Sequence, residues 1–173
     1  VSLWRAPTDN DRIGHIAAKW ERYGVREISR TDCVVTQSPT SIKVVNNWET
    51  STGISFKHTQ LITPVADGFT VKESVTVPKA FDDLARVGTV FELDGSLNEL
   101  TYFGTGAHES YPDRKIGRIH RWVSTVAAQY VAYVRPQENG GHVGVRWFEL
   151  TGNDGKGVRF DLDKPRQVSV TPN

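Results

Sequence analysis

The chain has 173 residues, 38% of them hydrophobic and 24% charged, and its 21 basic and 20 acidic side chains leave a net charge of +1. That length suffices for one domain with a buried core, and near-neutral charge without a basic run gives no footing for nucleic acid or an anionic membrane surface. No apolar stretch approaches the roughly 20 residues of a membrane-spanning helix.

The chain opens on Val1 and contains no methionine, which reads as an excised piece of a longer protein. The lone Cys33 excludes an internal disulfide and suits a reducing, cytoplasmic compartment; a small buried apolar role is expected for it rather than a nucleophilic one. In "HIAAKWERYG", Ile16, Trp20 and Tyr23 stand at i, i+4 and i+7 before Gly24, which predicts one short helix near the N-terminus. The rest of the pattern is mostly period two, which reads as strands. Strands are expected at residues 41–46, 54–62, 87–93, 100–103 and 130–134. "FTVKESVTV" sets Phe69, Val71, Val75 and Val77 on one face, interrupted by Glu73. "VGVRWFELT" (143–151) and "VRFDL" (158–162) flank "GNDGKG", whose Asn-Asp-Gly centre tolerates the positive φ of a hairpin. Further turns are expected at Asp67-Gly68, Asp94-Gly95 and Asn139-Gly140-Gly141. Short strands joined by hairpins predict an all-β fold, an antiparallel sandwich formed as one module over residues 1–173. A sandwich that stops after "VRFDLDKPRQVSVTPN" leaves a sheet edge unpaired.

Three stretches carry candidate chemistry, each with a plainer reading. "APTDNDRIGH" spaces Asp9 and Asp11 as a calcium loop would, but Ile13 and Trp20 stand where oxygen ligands belong. The stretch can instead be a turn with Asn10 or Asp11 capping the helix, or a ligand contact. In "YFGTGAHESYPDRK" (102–115), Glu109 stands where a dinucleotide fingerprint needs glycine, and Pro112 where a zinc motif needs its second histidine. Glu109 and Asp113 could serve as acid and base; equally, the glycines, Tyr111-Pro112 and an Asp113–Arg114 ion pair could make a structural turn. In "YVRPQENGGH", Glu138 can pair with Arg135, and His142 at a strand start is more often structural than a ligand. Five tryptophans could stack on sugar rings, though three lie at apolar positions of predicted elements.

In order and spacing, "LWRAPTDND" (3–11), "YFGTGAHESYPDRK" (102–115) and "YVRPQENGGHVGVRWFELT" (133–151) resemble three blocks of the C-terminal domain of large β-galactosidases, glycoside hydrolase family 2. The resemblance implies the N-terminal part of an antiparallel supersandwich related to galactose mutarotase, truncated here. It further implies a parent that hydrolyses terminal β-D-galactosides at two glutamates of a (β/α)8 barrel absent from this chain.

On this resemblance the chain is expected to lack catalytic residues, metal and cofactor, the family's Mg²⁺ and Na⁺ lying mainly in the barrel. Its expected partners are the barrel of the same enzyme and, in the complete homo-oligomeric protein, the galactoside. Asp9, Asn10, Asp11 and His15 would border the sugar pocket. Glu109, Tyr111, Asp113, Arg114 and Glu138 would form a structural polar turn. Ala107 and Ser110 replace the commoner proline and asparagine of the family motif. Two other classes compete: a mutarotase-like epimerase using His108 with Glu109 or Glu138, and a stand-alone carbohydrate-binding module using tryptophans.

Overall fold

Thr8 accepts a hydrogen bond from the backbone N–H of Asp11, and the Asp11 carboxylate accepts one from the N–H of Thr8. This reciprocal capping box starts a one-turn helix, α1 (Asp9–Ile13), in the computed structural model, which describes residues 1–172. The expected helix follows as α2 (Ile16–Tyr23), so two α-helices stand where one was expected; the N-cap of α2 is His15, without a side-chain cap bond, rather than Asn10 or Asp11, and Thr8 caps α1. Trp20 and Ala17 are buried, and Gly24 ends the helix at φ 67°, a left-handed stop. The rest is mostly β: two four-stranded antiparallel sheets. The chain divides into two compact units, Val1–Val90 and the residues from Phe91 onward.

In the first unit, β1 (Ile28–Gln37), β2 (Ile42–Thr50), β3 (Ser55–Val65) and β4 (Gly68–Thr76) form a meander in that order. Its core gathers Leu3, Trp20, Val25, Phe56 and Phe81, with Trp4, Tyr23 and Trp48 packed against them. Burial of each such large side chain is worth about 1.5–3 kcal/mol. β1 escapes the period-two reading because nearly every residue of "ISRTDCVVTQ" is exposed on this marginal strand. Cys33 is therefore exposed, not buried as expected. The apolar face assigned to β4 is also largely outside the core: Phe69 is 71% exposed, and only Val75 packs inward. Residues 87–93 form no strand; a single bridge joins Gly88 to Ser2.

The second unit orders its strands β6-β5-β7-β8: β5 (Glu99–Gly106), β6 (Arg118–Thr125), β7 (Gly141–Thr151) and β8 (Gly157–Ser169). Leu100, Tyr102, Val126, Val145 and Leu150 make its core, flanked by Trp122, Phe148 and Leu162. The predicted hairpin at "GNDGKG" is present, with Gly155 at φ 75° and the Asp154 carboxylate accepting from the Lys156 N–H. β5 and β7 approach closely at Gly104, where a Cβ would fall 2.9 Å from the Val145 Cα. Residues 130–134, expected as strand, form an open connection with Tyr130 and Val134 exposed. Among the described residues no strand pairs with them, so their apolar alternation has no sheet to serve. β6 lay hidden in "RIHRWVST", where charge and apolar side chains alternate without a clean face.

Candidate functional site

At the end of β5 the Gly106–Ala107 peptide is cis, and the following turn carries Glu109 and Ser110 inward. Ser110 ties the turn to the start of β7: its N–H donates to the Gly141 carbonyl at 2.6 Å, and its Oγ accepts from the Val143 N–H at 3.0 Å. Glu109 is 8% exposed, and its carboxylate accepts from four donors. These are the Tyr111 hydroxyl at 3.0 Å, Arg114 Nη1 at 3.2 Å, the Gly140 N–H at 3.0 Å and the Tyr133 hydroxyl. Burial, then the Glu109 charge, raises the Tyr111 hydroxyl above its ordinary pKa. The bond to Glu109 is the main cause of the rise at Tyr133.

Arg114 thus pairs with Glu109 rather than with its sequence neighbour Asp113, as expected from adjacency. The reason is local: Tyr111 and Arg114 exchange backbone hydrogen bonds at 3.0 and 2.9 Å, folding the guanidinium back over Glu109. Asp113 sits exposed at the tip of that turn.

Behind the turn lies a second polar chain. The Gln129 amide nitrogen donates to Ser124 Oγ at 2.7 Å and to the Thr125 carbonyl at 3.2 Å. Its oxygen therefore faces His142 Nε2 at 2.6 Å, so that nitrogen carries the proton. His142 Nδ1 then accepts from the Tyr102 hydroxyl at 3.1 Å. Burial lowers the His142 pKa and pushes the Tyr102 hydroxyl up to about 12. Both groups are held neutral.

Between these two networks opens a cavity of about 210 Å³, lined by Glu109, Arg114, Gln129 and His142 with Ala107, His108, Ala128, Val131 and Gly140. Glu109 is the one carboxylate in this lining; Glu138, half-buried in the preceding connection, is not part of it. A general base needs a free lone pair facing its substrate, and four donors already occupy the Glu109 oxygens.

The N-terminal candidates stand in the first unit. Asp11 is buried and takes a bidentate grip from Arg5, at 2.6 and 3.0 Å, beside its capping bonds to Thr8. Burial alone would raise its carboxyl, but the Arg5 and Thr8 bonds outweigh it and the pKa falls. Asp9 pairs with Arg12 at 3.2 Å, while Asn10 and His15 are exposed. Asp11 therefore faces into the helix start, whereas Asp9, Asn10 and His15 face out. Another buried group in this unit is His58, 3.6 Å from Glu73, with its pKa lowered by burial against the pull of that carboxylate. Among the described residues no group of three or more His, Cys, Asp or Glu side chains converges as metal ligands would.

The tryptophans offer few open faces. Trp20 is buried and the other four are half-buried. Arg159 lies 4.2 Å above the Trp147 ring, and Arg5 lies 5.0 Å from that of Trp20. Sequence reading missed Tyr133, Gln129 and Tyr102 as members of these networks. Their partners lie between 13 and 40 residues away, and only the closed fold brings them together.

Comparison with known proteins gives a concordant result. The profile of the family described as "Beta galactosidase small chain" matches residues 1–172. A β-galactosidase of Lactobacillus delbrueckii subsp. bulgaricus is 31% identical over 170 residues, covering 92% of this chain and 16% of that protein. One from Priestia megaterium is 28% identical over 161 residues, covering 90% and 15%. One from Streptococcus thermophilus is 26% identical over 179 residues, covering 100% and 17%. The chain spans a small fraction of the length of these relatives.

Proposed function

The chain belongs to the β-galactosidase small-chain family, and on that premise we propose that it is a non-catalytic part of an enzyme that hydrolyses terminal β-D-galactosides. Its two sheets would form part of the supersandwich, bordering the sugar pocket and supporting a separate catalytic barrel within a cytoplasmic homo-oligomer. The observation that carries this reading is the state of Glu109. Retaining hydrolysis needs two carboxylates about 5 Å apart, one as nucleophile and one as acid and base. The cavity here has a single carboxylate, saturated by four donors.

The same saturation argues against an epimerase using Glu109 as base, and half-covered indole rings argue against a stand-alone sugar binder. In this reading Glu109, Tyr111 and Arg114 hold the strand connection, with Asp113 at its surface and Glu138 in the facing segment. Asp9, Asn10 and His15 are the outward groups available to a pocket rim, and Asp11 anchors the helix that presents them. Mg²⁺ and Na⁺ would be bound by the barrel.

The test is an assay of residues 1–173 alone with a chromogenic β-galactoside, beside the complete enzyme. No turnover by the fragment and turnover by the whole are expected. Turnover by the fragment that disappears on Glu109→Gln would overturn the proposal, as would catalytic acceleration of α-galactose mutarotation by polarimetry.

A further inference from the structure

The second unit carries a cluster of positive charge that is only partly neutralised among the described residues. From Arg114 to Thr125 the sequence has four Lys or Arg residues and no Asp or Glu, in a chain whose net charge is only +1. Arg114 is bound to Glu109, but Lys115, Arg118 and Arg121 make no ion pair among the described residues. β6 is the outermost strand of its sheet, and Arg118, Ile119, His120 and Arg121 are all exposed.

Apolar side chains are interleaved with these cations: Ile116 is 91%, Ile119 53% and Val123 64% exposed. Strand register places Ile119, Arg121 and Val123 on one face with Thr105, Phe103 and Thr101 of β5, and Trp147 of β7 lies across from Phe103. The Phe103 and Trp147 rings stack at 6.4 Å and 14°. Arg146 lies over Phe103 at 5.5 Å and Arg159 over Trp147.

Charges on an outer strand ordinarily keep other strands away. That role alone leaves three exposed aliphatic side chains unexplained, since they would invite the contact the charges repel. Aromatic and arginine side chains around an apolar centre are instead the composition of a protein interface. Of these cations Arg121 stands on that face, while Arg118 alternates to the other face of the same edge strand; an unpaired cation on an apolar face calls for carboxylates opposite.

We propose that the β6 edge, with the face formed by Ile119, Arg121, Val123, Phe103 and Trp147, docks onto an acidic, partly apolar protein surface in the remainder of the β-galactosidase. The proposal rests on the reading of this chain as part of that enzyme. The cations would align the two surfaces and the aliphatic and aromatic side chains would supply the buried area.

The experiment uses the complete enzyme with a photo-crosslinking benzoylphenylalanine at position 119, and a control at Thr40 in the exposed β1–β2 turn. The expected result is a crosslink from position 119 to an Asp- or Glu-rich peptide outside residues 1–173. That crosslink should be lost in an Arg121→Glu background and weakened by high salt. A milder Arg121→Gln should reduce it, guarding against misfolding of the reversed variant. Crosslinks confined to residues 1–173, including those of a second copy, would overturn the proposal, as would a yield no greater than at Thr40. Galactoside turnover by the same complete enzyme tests the functional reading separately, because turnover without the crosslink sinks only the docking surface.

Discussion

Replacing Glu109 with glutamine keeps the shape of the side chain but removes its charge and half its acceptors. The carboxylate serves four donors, and two of these, the Gly140 N–H and the Tyr111 hydroxyl, lie in the closed part of the turn. A glutamine oxygen can accept from two donors, while its amide nitrogen must face the others donor to donor. Arg114, 56% exposed, can turn to water, so the loss concentrates on the buried pair. A stranded buried donor costs about 1–3 kcal/mol, and the surviving bonds lose their charge assistance, giving about 2–4 kcal/mol in all. For a chain of this size that is a fall in Tm of about 5–15 °C. Urea unfolding followed by circular dichroism, with a thermal scan, measures both. Arg114→Gln, which removes only a half-exposed partner, should cost less than about 1 kcal/mol. If Glu109→Gln unfolds within about 0.5 kcal/mol of the parent, the carboxylate is not the organising group of this turn.

Asp11→Asn should cost about 1–2 kcal/mol through the loss of the helix cap and the Arg5 grip. Because its folded pKa lies below the ordinary 3.8, the Asp11 contribution is complete above that value and disappears as pH falls through the folded one; urea midpoints of the two proteins should converge in acid. His142 and His58 both have folded pKa values below the ordinary 6.5. Stability should therefore be full above 6.5 and decline on acidification, as the unfolded chain takes up protons the buried rings refuse; His142→Gln should make that slope shallower in urea titrations from about pH 7 to about pH 5. Gly104→Ala forces a methyl to within 2.9 Å of the Val145 backbone and should cost about 1–3 kcal/mol by thermal unfolding.

What could be read in the sequence was local. The hairpin at Gly152–Gly157 announced itself because Asn-Asp-Gly tolerates the required φ, and β2, β3, β4, β5, β7 and β8 carry enough Val, Ile, Phe or Trp to alternate visibly. β1 and β6 carry too much charge and exposure for that. Their strand character comes from pairing with β2 and β5, a tertiary cause. The site divides in the same way. Glu109 and Arg114 stood out by composition, but the adjacent Asp113 was the wrong partner, because a backbone bridge four residues wide decides where Arg114 points. Tyr133, 24 residues from Glu109, could not be paired with it before the loop was closed. Cys33 shows the limit of composition: thiols are usually interior, yet this one rides an outermost strand.

The knot at Glu109 also governs where the polypeptide can change length. Glu109 holds the segment after the Ala127–Gln129 turn through the Tyr133 hydroxyl and the Gly140 N–H, and between them Asn139 Oδ1 accepts from the Val131 N–H at 3.3 Å beside an exposed Val134. Doubling a flexible loop costs only about 0.6 kcal/mol of closure entropy. New length between those two moorings would therefore carry little closure cost of its own; what it has to preserve is the bond from Val131 to Asn139 and the ties of residues 135–138.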